Sequence, residues 1–424
     1  MRECGTYGSV KGKRLSLHDY KILKGDVEFV YSAVVMDMDR FLLNRSAMTI
    51  PSDGLVEALE ARIATKNTVL QDRDARLGKN RIRISSYLEN ISLPELFDFD
   101  MNMFFRDPEL AMEIALRSKI FWLDNSHDDQ NADLTMAATA GMYFDMTLFG
   151  LGVTHTTQGV PEFMPHPIAN KADISLIGTF DFHTTGEMPN LLRQYDSLRE
   201  ISSKRYDNKI KVMFPSFHRG PLDIYIQMRG YYSFIEDILE NPQFTRDFLS
   251  HIVNERIRWN IERALFLGEE LPARNTFIAD DWVNMPFITP CMFDDFIIPA
   301  YKKIQDAEGK VNGFHTCGVM GLLAGRLLQV FPDIGTLDVS GWNDFSALDA
   351  MIDPSVSFGL NFINTFVLVS LVEEHRKMLE NIYRIARHRK ISLCAQAIVR
   401  VHDTFDETIA RMNRFIDLAH DMLR

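Results

Sequence analysis

The sequence predicts an α/β fold, a (β/α)8 TIM barrel with an N-terminal extension and insertions. Three observations predict it. From Ile210 onward, short apolar runs of strand length alternate with stretches of helix length, the pattern of βαβ units around a parallel sheet. Roughly five or six such units follow one another, with no internal repeat or linker between them. Residues able to carry chemistry collect at the ends of the runs, where barrel enzymes build their sites.

The first half of the chain is less regular. Leu55, Leu59, Ile63 and Val69 fall near helical spacing and predict a helix over 54–71. Pro108 opens a second helix, over 109–123. The stretch 136–153, rich in Met, Phe and Gly, reads as helix or buried loop, and 154–167, with His155, His166 and three prolines, as an irregular loop.

The second half is periodic. Strands are predicted over 210–214, 275–279, 311–314, 336–339, 356–359 and 391–394. Helices are predicted over 224–239, 242–267, 290–304, 319–330, 346–352 and 371–388. Asn241-Pro242 supplies a cap and a first-turn proline. Thr404 and Glu407 form a capping box for the last helix. We read 1–424 as one domain, with 1–188 as cap and early barrel and 210–424 as the regular units.

Composition narrows the function. The chain has 424 residues, 46% hydrophobic and 25% charged, ordinary values for a folded protein. A net charge of -12 argues against nucleic acid as a partner. Four scattered cysteines make no disulfide framework, and the N-terminus has no apolar signal region. The longest apolar stretch, 362–372, is too short and too polar to span a bilayer. A cytoplasmic protein is expected, with a homo-oligomer left open.

The chemistry centres on His315, Cys317 and Cys394. His315 and Cys317 lie two apart at the end of one predicted strand, and Cys394 ends another. One imidazole and two thiolates suit zinc, and three protein ligands leave a fourth position for substrate. The bland alternative is a buried His and Cys in a core. Asp280 and Asp281 follow a strand and are candidate catalytic carboxylates, against a structural role as turn caps. His218 and Asp338 are candidate substrate-binding residues. Cys291, in the first turn of a helix, reads as a small buried hydrophobe. The basic run 384–390 sits at a helix C-terminus, which the helix dipole explains.

The His-x-Cys pair with a distant Cys resembles the zinc motif of the uroporphyrinogen decarboxylase superfamily, in its branch of methylcobamide:coenzyme M-type corrinoid methyltransferases. Gly220-Pro221 with Arg229-Gly230, and Asp280-Asp281-Trp282 followed by Thr289-Pro290, resemble the same superfamily. The resemblance implies a (β/α)8 barrel that holds one Zn2+ through His315, Cys317 and Cys394. It implies methyl transfer between a small molecule and methylcobalamin or another corrinoid, carried by a partner corrinoid protein. Asp181, His183 and Gly186 match the D-x-H-x-x-G spacing of corrinoid-binding domains, yet they run into barrel-like units, which leaves the corrinoid on the partner. The chain lacks the arginine-rich N-terminal signature of the decarboxylases. A zinc-free decarboxylase-like lyase and a non-catalytic corrinoid-protein-binding barrel are the alternatives.

Overall fold

Alternating burial sets the strands of this chain. In Thr336–Ser340, Leu337 and Val339 are fully buried, while Asp338 between them turns the other way and stays half-buried. In Ile391–Ile398, Leu393 and Ala395 are buried and Cys394 between them is half-buried. One face of each strand packs on the surrounding helices and the other looks into the barrel. The computed structural model describes residues 42–78, 81–130, 132–141, 144–154, 156–157, 162–163, 167–168, 180–217, 219–270, 275–401 and 404–423. Leu43–Arg424 forms one compact unit; of the unit Met1–Leu42, only Leu42 is among the described residues.

The barrel strands are β1 (Arg83–Leu88), β2 (Thr135–Ala137), β3 (Lys211–Met213), β4 (Asn275–Ala279), β5 (Lys310–Thr316), β6 (Thr336–Ser340), β7 (Ser357–Ile363) and β8 (Ile391–Ile398). Six pair in one parallel sheet, in the order β1-β8-β7-β6-β5-β4. β2 and β3 pair in parallel beside it. Two contacts bring the pieces toward a ring. Arg219, beyond β3, bridges to Ala279 of β4, and the Asp129 amide, before β2, donates to Ile84 of β1 at 2.6 Å. A short antiparallel hairpin, Val153–Thr154 with Glu162–Phe163, is inserted between β2 and β3. With helices between successive strands, this is a (β/α)8 barrel with insertions.

Register places the chemistry. His315 pairs with Asp338, Asp338 with Gly359, Asn361 with Cys394, and Cys394 with Ser85. Five neighbouring strands therefore present polar side chains at adjoining levels.

Several sequence expectations are corrected. The helix expected over 224–239 is two helices, Pro221–Arg229 and Tyr231–Glu240, broken at Gly230, whose φ of 92° suits only glycine. The helix expected over 290–304 continues to Glu308 through a π-helical turn at Phe293–Ile297, and its Cys291 is exposed rather than buried. β7 and β8 run four residues past their expected ends, so Cys394 lies within its strand rather than at its end. The stretch 136–153 holds the end of β2 and a short helix, Phe144–Thr147.

Candidate metal centre at the barrel mouth

β5 delivers the two residues of the His-x-Cys pair. His315 is its penultimate residue, and a spacing of two puts the Cys317 side chain on the same face. Nε2 of His315 lies 3.5 Å from Sγ of Cys317 and 3.3 Å from Oδ1 of Asp281. The Cys317 amide donates to the same Asp281 oxygen at 3.3 Å. Ligand atoms of Asp281, His315 and Cys317 all lie within 4.8 Å of one another. Among the described residues, this is the group of His, Cys, Asp and Glu side chains arranged to hold a metal ion. Thr316, facing away, pins the turn: its hydroxyl donates to the Val283 carbonyl at 3.1 Å and accepts from the Gly318 amide at 3.0 Å. Gly318 is required here, because a Cβ would sit 2.5 Å from the Val283 oxygen.

Behind the histidine stands Asp338. Its Oδ2 accepts from Nδ1 of His315 at 2.9 Å, and its Oδ1 accepts from Nδ2 of Asn361 at 2.6 Å. A carboxylate on one imidazole nitrogen fixes the ring and presents the other nitrogen outward, the arrangement that orients metal-bound histidines. Burial opposes charge on His315, but hydrogen bonds to Asp281, Asp338 and Cys317 outweigh it and push its pKa up to about 12. The surrounding carboxylates therefore favour the protonated ring, and a metal ion at Nε2 would take the place of that proton. Burial acts against the Asp281 carboxylate, yet His315 and Arg219 hold it well below the usual range. Burial raises the Cys317 thiol, with His315 opposing.

Cys394 lies outside the 4.8 Å group. It is half-buried on β8, opposite Ser85 and Asn361, with its thiol raised by burial and the Ser85 hydroxyl nearby opposing that shift. β5 and β8 are separated in the sheet by β6 and β7.

The two adjacent aspartates part company. Asp281 joins His315 and Cys317. Asp280 is fully buried and points away from them, accepting from the Leu222 and Asp223 amides at 3.1 and 2.8 Å and from the Tyr301 hydroxyl at 2.8 Å. It holds the N-terminus of the helix Pro221–Arg229, and Gly220 leaves it room, since a Cβ there would lie 2.3 Å from the carboxyl group. His218, His155 and His166 lie outside the described residues. In the Asp181–Gly186 motif, Asp181 accepts from the His183 amide and the Thr184 hydroxyl, both at 2.9 Å, in a local turn before the helix Met188–Tyr206.

Sequence reasoning passed over three residues. Asn361 interrupts an apolar strand, which was the available sign. Arg219 bridges Asp223 at 2.6 Å and Asp281 at 3.2 Å. Asp223 is almost fully buried; burial, with Asp281 and Asp145 nearby, outweighs Arg219 and lifts its pKa to about 6. One guanidinium thus serves carboxylates that include Asp281 of the candidate metal site.

No protein-family model matches the sequence, and no curated protein matches it. Among solved structures, a methyltransferase from Methanosarcina mazei is similar to this chain with a TM-score of 0.56. The match covers 80% of this chain and 94% of that one, at 13% identity. That likeness establishes the fold. No helix among the described residues is long and apolar enough to cross a membrane.

Proposed function

We propose that the chain is a zinc-dependent methyltransferase that moves a methyl group between a corrinoid carrier and a small molecule. The observation that carries the reading is the His315–Cys317–Asp281 group, backed by Asp338 on Nδ1 of His315, at the C-terminal ends of barrel strands. The donor set fits zinc: an imidazole whose far nitrogen is held by a carboxylate, and a thiol beside its near nitrogen. His315 and Cys317 would hold the ion, with Cys394 as the third ligand and Asp281 beside it. Bound there, zinc would supply the Lewis acidity that activates a thiol or polarises a methyl-bearing heteroatom. The chain's own residues do the positioning. Asp338 fixes the imidazole, Arg219 and the Cys317 amide fix Asp281, and Asp280 fixes the helix that begins beside them. The fold shared with the Methanosarcina mazei methyltransferase supports the methyl-transfer part of the reading.

A corrinoid protein as partner is supported by the rim of the barrel. Phe287, Leu322, Trp342 and Leu371 are exposed, and they follow β4, β5, β6 and β7 at the end of the barrel that carries His315. The three carboxylates at the centre, Asp281, Asp338 and Asp223, are matched by Arg219 and His315, so the centre carries no excess of positive charge for the polyanionic substrate of the decarboxylase alternative. The test is methyl transfer from methylcobalamin to a panel of small thiols, with wild type and Cys317→Ser. Zinc-dependent product formation that Cys317→Ser abolishes supports the reading. A wild-type protein that binds zinc but transfers no methyl group in either direction, with or without a corrinoid protein, contradicts it.

A further inference from the structure

The geometry points to Asn361 as the positioning residue that fixes Asp338, and through Asp338 the ring of His315, so that β7 governs a candidate metal centre whose grouped ligand atoms come from β5 and from the turns that follow β4 and β5. The inference rests on the zinc reading only for its consequence for metal binding; the hydrogen-bond relay stands on its own geometry.

Three observations carry it. Asn361 Nδ2 donates to Asp338 Oδ1 at 2.6 Å, and Asp338 Oδ2 accepts from His315 Nδ1 at 2.9 Å, so each carboxylate oxygen has one dedicated donor. A carboxylate held at both oxygens cannot rotate away from the imidazole without breaking a bond. Gly359, the register partner of Asp338, completes the cradle. A Cβ at Gly359 would lie 2.4 Å from Asp338 Oδ1, so the bare glycine is what lets the carboxylate settle over β7 within reach of the Asn361 amide. Asn361 is itself 7% exposed, and its backbone pairs with Ser340 on one side and Cys394 on the other. An amide buried at that level has a defined orientation, because its NH2 group must find an acceptor.

The relay therefore runs Asn361, Asp338, His315, and ends at Nε2 beside Cys317. It also ties the two parts of the proposed ligand set together. Asn361 is the register neighbour of Cys394 and, through Asp338, sets His315. An asparagine suits this position better than a second carboxylate, which would repel Asp338, or a hydroxyl, whose reach is shorter.

The test compares wild type with Asn361→Leu, which keeps the side-chain shape and removes the donor, and with Gly359→Ala, which presses on Asp338 from the other side. Imidazole N–H signals of histidine-labelled, zinc-free protein read the relay directly. Wild type should show a protected Nδ1–H for His315, and both variants should lose it while keeping wild-type circular dichroism. Zinc affinity by chelator competition reads the consequence and should fall about 10- to 100-fold in both variants. The visible spectrum of the Co2+-substituted protein should shift as well. A protected Nδ1–H that survives in Asn361→Leu overturns the relay, whatever the metal does. An Nδ1–H lost with zinc affinity unchanged overturns the link from Asn361 to the metal. A wild type that binds no zinc but loses the proton in both variants supports the relay and overturns the zinc reading instead.

Discussion

Asp338 Oδ2 lies 2.9 Å from Nδ1 of His315, and this contact decides which nitrogen of the ring faces Cys317. The two residues are register partners on neighbouring strands, so the contact is built into the sheet rather than into a loop. Asp338→Ala should leave the barrel folded and lower zinc affinity about 10- to 100-fold, because the ring loses its fixed orientation and some basicity. Competition against a chromophoric chelator measures it. Unchanged affinity would mean that Asp338 only pairs with His315 for packing.

Arg219 concerns stability as much as the site. It is almost fully buried, and it neutralises Asp223 and Asp281 together. Arg219→Ala leaves those carboxylates near one another without their cation. Breaking such a pair from one side costs about 3–5 kcal/mol. Urea unfolding should show a loss of that order. A loss under about 1 kcal/mol would place Arg219 among weak surface pairs.

Acid stability should depend on Asp129, far in sequence from the metal centre. This buried carboxylate accepts from Arg73 and Arg81, each at 2.6 Å, from His420 at 3.1 Å and from the Ile84 amide at 3.1 Å. Burial would raise its pKa, but hydrogen bonds from His420 and Arg81 outweigh it and hold the pKa well below the ordinary 3.8. A folded-state pKa below the unfolded one gives a contribution that is fully present above the unfolded value and is lost as pH falls through the folded one. Urea midpoints should therefore drop as pH falls below about 4, and Asp129→Asn, less stable at neutral pH, should show a shallower drop. Equal slopes for the two proteins would remove Asp129 from the account.

Much of the barrel was legible because its later strands are short, apolar and bounded by turn residues. Asn275–Ala279 matches its expected bounds, and the Asn241 cap accepts from the Phe244 amide as its sequence implies. β1 was not legible: Arg-Ile-Ser-Ser-Tyr-Leu has serines on both faces, and its burial comes from Asp128 and Asp129 folding against it. β8, expected to end at Cys394, continues because Gln396 lies half-buried while Ala395 and Ile398 are buried. At the site, proximity of His315 to Cys317 follows from strand period alone. The opposite fates of Asp280 and Asp281 do not, since they depend on Leu222, Asp223 and Tyr301 arriving from elsewhere in the chain. The Asn361–Asp338 bond is likewise tertiary, and an asparagine within an apolar strand is its one sign in the sequence.

The most direct test of the metal centre is zinc content per chain, by plasma mass spectrometry, on wild type, Cys317→Ala and Cys394→Ala purified without chelators. About one zinc per wild-type chain is expected, with most of it lost in Cys317→Ala and circular dichroism unchanged. Weaker retention in Cys394→Ala would make that residue the third ligand, and full retention would give the place to Asp281. A wild-type protein with no zinc, and none taken up when zinc is supplied, would contradict the central claim.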